Sequence, residues 1–115
     1  MTGLFNYRFL VEFLANQVAA SRRDKKPISA LMLDIDHFRD FNNRFGHAAG
    51  DHVLRVLARI LEKHVRASDL AARYGGEEFT IVLPDADISG AVVVAENVRK
   101  DVEQTELSFG GKGLG

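Results

Sequence analysis

The sequence contains no cysteine, which excludes disulfides, thiolate catalysis and cysteine-ligated zinc and suits a reducing compartment. Its histidines, His37, His47, His52 and His64, share no zinc-type spacing, and His52 and His64 read most simply as surface residues of one helix. Apolar runs stop well short of the roughly 18 residues that span a bilayer. Arg8 and Glu12 interrupt the N-terminal stretch where a signal core would stand. A net charge of -1 offers no basic surface for a nucleic acid. Proline occurs only at Pro27 and Pro84, each where an element should end. The expectation is one soluble domain that buries somewhat under about 70% of its unfolded surface. It is expected in the cytoplasm, alone or as the cytoplasmic part of a larger membrane-anchored protein, without touching the membrane itself.

What is present alternates between helical and strand patterns. Leu10, Phe13, Leu14 and Val18 form a helical stripe from Leu4 to about Ser21, ending in the charged run Arg22 to Lys26 before Pro27. Ile28 to Asp36, ISALMLDID, reads as a strand buried on both faces whose carboxyl end surfaces at two aspartates. The next segment breaks at Gly46 and Gly50. A helix beginning near Asp51 then carries Val53, Leu57, Ile60, Leu61 and Val65. Asp69 to Tyr74 and Phe79 to Leu83 are β-prone runs joined by Gly75-Gly76, a hairpin. About Ile88 to Gln104 reads as a helix, and Glu106 to Phe109 as a possible strand. The order α-β-α-α-β-β-α-β describes an α/β protein with a mixed central sheet flanked by helices. Such a sheet would normally continue with at least one more strand, so the chain is expected to be cut short, and the glycine-rich tail GGKGLG is expected to trail off without a partner. That tail lacks the spacing and the Ser or Thr of a phosphate-binding P-loop.

The hairpin tip, RYGGEEF at 73–79, is unusual chemistry for a turn. Adjacent carboxylates repel by roughly 3 kcal/mol at 5 Å under an effective dielectric near 20. Asp34 and Asp36, two apart in an extended strand, project from one face. If the strands are neighbours, three or four carboxylates with Glu77 and Glu78 converge there. Hard oxygen ligands suit Mg²⁺ or Mn²⁺, which fills its remaining positions with phosphates and water. The alternative is a glycine-rich turn with exposed acids, and spacing alone does not choose between them.

RYGGEEF, preceded by DIDHFRDFNNRFGHAAGD and opened by TGLFNYR, resembles the GGDEF domain of bacterial diguanylate cyclases over nearly the whole chain, in the GGEEF spelling. The resemblance implies a palm-like nucleotidyl cyclase fold, βααββαβ after an N-terminal helix and lacking the last strand or strands. It implies that two GTP molecules condense into cyclic di-GMP and pyrophosphate, each domain holding one GTP, so that a homodimer is needed for turnover. Asp34, the backbone carbonyl of Ile35, and Glu77 match the family's metal positions for Mg²⁺ or Mn²⁺, with Asp36 and Glu78 in support. Glu77 also matches the residue that helps deprotonate the 3′-hydroxyl. Arg39 stands where the family usually has a phosphate-contacting Lys. The backbone amides of His37 and Phe38 would face the β- and γ-phosphates. Asn42 and Asp51 match the guanine-recognising pair, and His47 a substrate-contacting position. Without the family pattern, Asn42 and Asp51 read as helix caps. Asn43 departs from the usual Asp. A fused sensor or dimerisation module is also implied.

Arg66-Ala67-Ser68-Asp69 has the Arg-x-x-Asp form and lies five residues before the Gly-Gly-Glu-Glu-Phe stretch. It matches the family's inhibitory site for cyclic di-GMP, with Arg73 joining from the adjoining strand. The competing reading is an Arg-Asp pair that steadies the helix-to-strand turn. A receptor that binds cyclic di-GMP without turnover, or an inert GTP-binding regulatory domain, is the alternative function.

Overall fold

The structure, a computed structural model, describes residues 6–105 together with the backbone of 108–109 and 112–113. The elements in order are α1 (Tyr7–Asp24), β1 (Ile28–Asp34), α2 (Phe38–Phe45), α3 (His47–His64), β2 (Leu70–Arg73), β3 (Glu78–Pro84), α4 (Ile88–Gln104), β4 (Ser108–Phe109) and β5 (Lys112–Gly113). The start expected at Leu4, the first residues of TGLFNYR and the start expected at Glu106 lie outside the described residues.

β3 is the middle strand of a three-stranded sheet ordered β1-β3-β2. Both of its ladders are antiparallel, so any parallel component of a mixed sheet lies outside the described strands. The side chains of β3 alternate as a strand buried on both faces requires. Phe79, Ile81 and Leu83 face a core shared with Phe38, Leu54, Leu61, Ala91 and Val98 from α2, α3 and α4. Val82 joins Leu10, Leu70 and Ala72 under α1. Each fully buried side chain of this size contributes about 1.5–3 kcal/mol of transfer free energy, so the strand that carries the hairpin acids is also the most firmly anchored.

Helix ends follow local chemistry. Asn6 caps α1 by accepting from the Phe9 amide at 2.9 Å, and Asp87 caps α4 by accepting from the Gly90 amide at 2.9 Å. Arg22 and Arg23 occupy the last turn of α1, where the helix dipole favours cations.

Four expectations need correction. β1 ends at Asp34, and its Ala30, Met32 and Asp34 are exposed rather than buried, because β1 is an edge strand in the described sheet and one of its faces is left open around Met32. Asp36 therefore sits in a turn, not on the face of Asp34. α3 begins at His47, not near Asp51, because only Gly46 breaks the chain. Its φ of 91° suits glycine and turns α2 into α3. The tail is not without a partner, since β4 and β5 pair as a short antiparallel hairpin.

Candidate nucleotide and metal site

The ladder between β1 and β3 runs in register from Ile28 opposite Pro84 to Asp34 opposite Glu78. Paired residues share a face, so the Asp34 and Glu78 side chains stand side by side at the end of the sheet. One residue further, the Ile35 amide donates to the Glu77 carbonyl at 3.4 Å. The strand terminus and the hairpin tip are thus stitched together where the sequence placed both sets of acids. Among the described residues no arginine, lysine or histidine forms an ion pair with Asp34, Asp36, Glu77 or Glu78.

The expected convergence of three or four carboxylates does not occur, for no group of three or more acids, histidines or cysteines with metal-binding geometry exists among the described residues. The physical reason is the turn at Asp36, which takes that carboxylate out of the strand pattern. What fits a hard cation is a smaller donor set of adjacent strand-end carboxylates without cationic partners and the neighbouring backbone. Mg²⁺ commonly needs only one or two protein carboxylates.

The tip itself is held by its own backbone and by one arginine. The Tyr74 and Gly75 amides donate to the Glu78 carbonyl at 2.8 and 3.3 Å. Arg73 donates through Nε to the Gly75 carbonyl at 3.1 Å and through its terminal nitrogen to the Gly76 carbonyl at 2.6 Å. Arg73, expected beside Arg66, is therefore placed on the glycine turn. Tyr7 of α1 meets Tyr74 edge-on with ring centroids 5.1 Å apart, which links the N-terminal motif to the hairpin.

α2 begins immediately after these acids. Its first residue, Phe38, is buried and acts as the anchor. His37 precedes it in the left-handed region, φ 58° and ψ 31°, with no side-chain cap. That conformation is uncommon for a side chain with a Cβ, and it leaves the first amides of the helix without a capping side chain, next to the exposed Arg39. α2 and α3 meet at the Gly46 corner, which brings Asn42 against Gly50, the neighbour of the exposed Asp51. His47 is exposed at the first turn of α3. Neither Asn42 nor Asp51 caps a helix. A mostly apolar groove of about 580 Å³ lies beside β1, lined by Leu31, Leu33, Leu57, Ile60 and Val98, and takes in Asp34 and Asp36 as well. Its lining does not suit a triphosphate.

Arg66 and Asp69 are brought together on the link from α3 to β2. The Arg66 guanidinium donates to Asp69 at 2.9 Å and to the Pro84 carbonyl at 2.8 Å, and the Arg66 amide donates to the same carboxylate at 2.7 Å. The Asp69 side chain is 1% exposed and that of Arg66 57%. The hydrogen bond and charge of Asp69 hold the guanidinium above its usual pKa. His64 departs from the expectation of a surface residue. It is half-buried and bonds Asp101 of α4 at 2.7 Å, with Lys63 on the same carboxylate at 3.1 Å. No pattern within one helix signals a bridge between two.

The model of the diguanylate cyclase GGDEF domain matches residues 1–115. Diguanylate cyclase A of Treponema denticola is 43% identical over 106 residues, covering 92% of this chain and 28% of that protein. The response regulator PleD of Caulobacter vibrioides is 44% identical over 102 residues, covering 89% and 22%. The chain thus spans about a quarter of the length of these curated relatives. Among solved structures, the GGDEF domain of DgcB from Caulobacter crescentus in complex with c-di-GMP superposes with a TM-score of 0.95 at 33% identity, covering 99% of this chain and 68% of that one. Diguanylate cyclase SiaD of Pseudomonas aeruginosa, in complex with its activator SiaC, gives 0.94 at 39%, covering 98% and 44%. With the family model matched over the whole chain and the fold superposing on solved GGDEF domains, the chain belongs to the GGDEF family of diguanylate cyclase domains.

Proposed function

We propose that this chain is the catalytic domain of a diguanylate cyclase that condenses two GTP into cyclic di-GMP with release of pyrophosphate, and that it works as one half of a homodimer within a larger protein that carries a sensor or dimerisation module. The observation that carries this reading is the seam joining Asp34 to Glu78 and Ile35 to Glu77. It sets acids without cationic partners beside the uncapped start of α2.

In this reading Asp34, the Ile35 carbonyl and Glu77 hold Mg²⁺ or Mn²⁺, with Asp36 and Glu78 keeping the surroundings negative. Bound there, the cation supplies charge neutralisation on the triphosphate and lowers the pKa of the attacking hydroxyl. Glu77 accepts the proton of the 3′-hydroxyl as its oxygen attacks the α-phosphorus of the other GTP, and pyrophosphate leaves. The His37 and Phe38 amides and the Arg39 fork hold the β- and γ-phosphates, as helix starts and guanidinium groups do for anions. Asn42 and Asp51 read the base, and His47 contacts the substrate. A carboxylate accepts from the ring N–H and amine of guanine together, whereas adenine offers an acceptor at the equivalent ring nitrogen and is repelled.

Arg66 and Asp69 form the inhibitory site for the product. The buried Asp69 fixes the exposed guanidinium in place, so Arg66 is ready to stack on a guanine or fork to a phosphate. Product held there stabilises an unproductive arrangement of two domains by its differential affinity for that state.

The test incubates the protein carrying this segment with GTP and Mg²⁺, beside Glu77→Ala, and separates nucleotides by chromatography. Cyclic di-GMP made by the first and lost in the second is the expected result. Equal formation by both overturns the role of Glu77, and tight cyclic di-GMP binding without turnover favours a receptor.

A further inference from the structure

We infer that Gly50 is a positioning residue for base recognition, a slot in α3 that fixes which end of the Asn42 carboxamide faces the substrate. Gly50 lies in the first turns of α3 and is buried. Its φ is outside the left-handed region, since Gly46 alone among the described glycines has a positive value. Backbone conformation therefore does not require glycine at this place, and inside a helix glycine is less favourable than alanine. Space does require it. A Cβ on Gly50 would stand 1.8 Å from Asn42 Oδ1, 2.9 Å from its Cγ and 3.3 Å from its Nδ2.

All three atoms belong to one short side chain. A methyl group at position 50 thus requires Asn42 to swing aside. A second observation concerns the carboxamide. Asn42 Oδ1 is buried and accepts no hydrogen bond, although buried polar atoms nearly always find a partner. It points into the space that a Gly50 side chain would fill. With the oxygen turned into the helix, the Nδ2 amide is the end left to donate outward. A donor at that place favours a purine bearing an acceptor carbonyl over one bearing an amine. This inference rests on the proposed guanine-reading role of Asn42 and deepens it. Gly50 preserves the orientation on which discrimination depends, and Asp51, the next residue, supplies the complementary acceptor.

The experiment is a double-mutant cycle of Gly50→Ala and Asn42→Ala in the full protein, measuring thermal midpoints and the binding of GTP and of ATP with Mg²⁺. Gly50→Ala is expected to weaken GTP about three- to tenfold, the worth of one hydrogen bond, with ATP unchanged. Asn42→Ala should do the same, and the double variant should be no worse than either. The thermal midpoint should rise on Gly50→Ala only in the Asn42→Ala background, where the methyl group meets no carboxamide. If Gly50→Ala alone does not fold and the double variant does, the same coupling is demonstrated. Additive losses of GTP affinity, or equal midpoint changes in both backgrounds, overturn the inference. Thermal coupling intact in a protein that binds GTP and ATP alike would instead sink the guanine reading of Asn42.

Discussion

Asp34 stands directly across the β1–β3 ladder from Glu78, and neither carboxylate has a cationic partner among the described residues. Their mutual repulsion is screened by solvent to about 1 kcal/mol or less. Without divalent cation, Asp34→Asn should therefore raise the thermal midpoint slightly, by up to a few degrees for a domain of this size. Addition of Mg²⁺ should stabilise the parent and leave the Asp34→Asn variant unmoved. Thermal unfolding with Mg²⁺ and with EDTA checks both. An equal Mg²⁺ response in both proteins would remove Asp34 from the metal site.

Arg73 holds the carbonyls of Gly75 and Gly76, the two residues before the hairpin acids. Arg73→Met should cost about 1–2 kcal/mol and speed amide exchange at 75–78. Arg73→Lys should not restore the tip, because an ammonium lacks the fork that spans two carbonyls. Product formation should fall in both variants. Unchanged exchange at the tip would show that the turn holds itself.

Arg66 combines a proposed regulatory role with a structural one. Arg66→Ala should relieve inhibition by cyclic di-GMP while initial rates stay similar, and inhibition curves measure this directly. It should also cost about 1 kcal/mol, since Asp69 is nearly fully buried and keeps only the backbone bond from residue 66. Product inhibition that survives the substitution would dismiss the site.

The bridge from α3 to α4 gives a dependence on pH. The hydrogen bond from His64, and secondarily Lys63, holds the Asp101 carboxyl below its usual pKa. A lowered pKa stabilises the fold above the ordinary carboxylate value near 3.9, and that stability is lost as the pH falls through the lowered value. His64→Ala should lower stability at neutral pH and flatten the decline below about pH 4, so that the two proteins converge in acid. Urea unfolding over that range measures it. Parallel curves would show that Asp101 is not coupled to His64.

The parts of the fold legible in the sequence were those governed by local periodicity. α4 covers the span expected from its apolar spacing and ends where the pattern ends, and the Pro84 boundary of β3 is where a residue without an amide donor should stand. The meeting of Asp34 with the hairpin acids was legible only on the condition that their strands are neighbours, which the β1–β3 ladder fulfils, while Asp36 left the strand pattern. What escaped depended on neighbours distant in sequence. The exposure of Met32 depends on which strands flank β1. Gly50 looked like a helix breaker because its reason for being glycine is Asn42, on another helix. Arg73 looked like a ligand contact because nothing in the sequence reveals that its guanidinium reaches round the turn.

The pairing of β1 with β3 has a consequence for how the domain tolerates error. Displacement of β1 by a single position would carry every side chain of the strand to the opposite face. It would turn Leu31 and Leu33 away from the interior and set Asp34 against Phe79 or the turn. The interior that selects one alignment of the chain is the same interior that brings the acids into line. A misaligned molecule is thus barred from competence and from compactness together, and assembly of the sheet proofreads the chemistry at its rim.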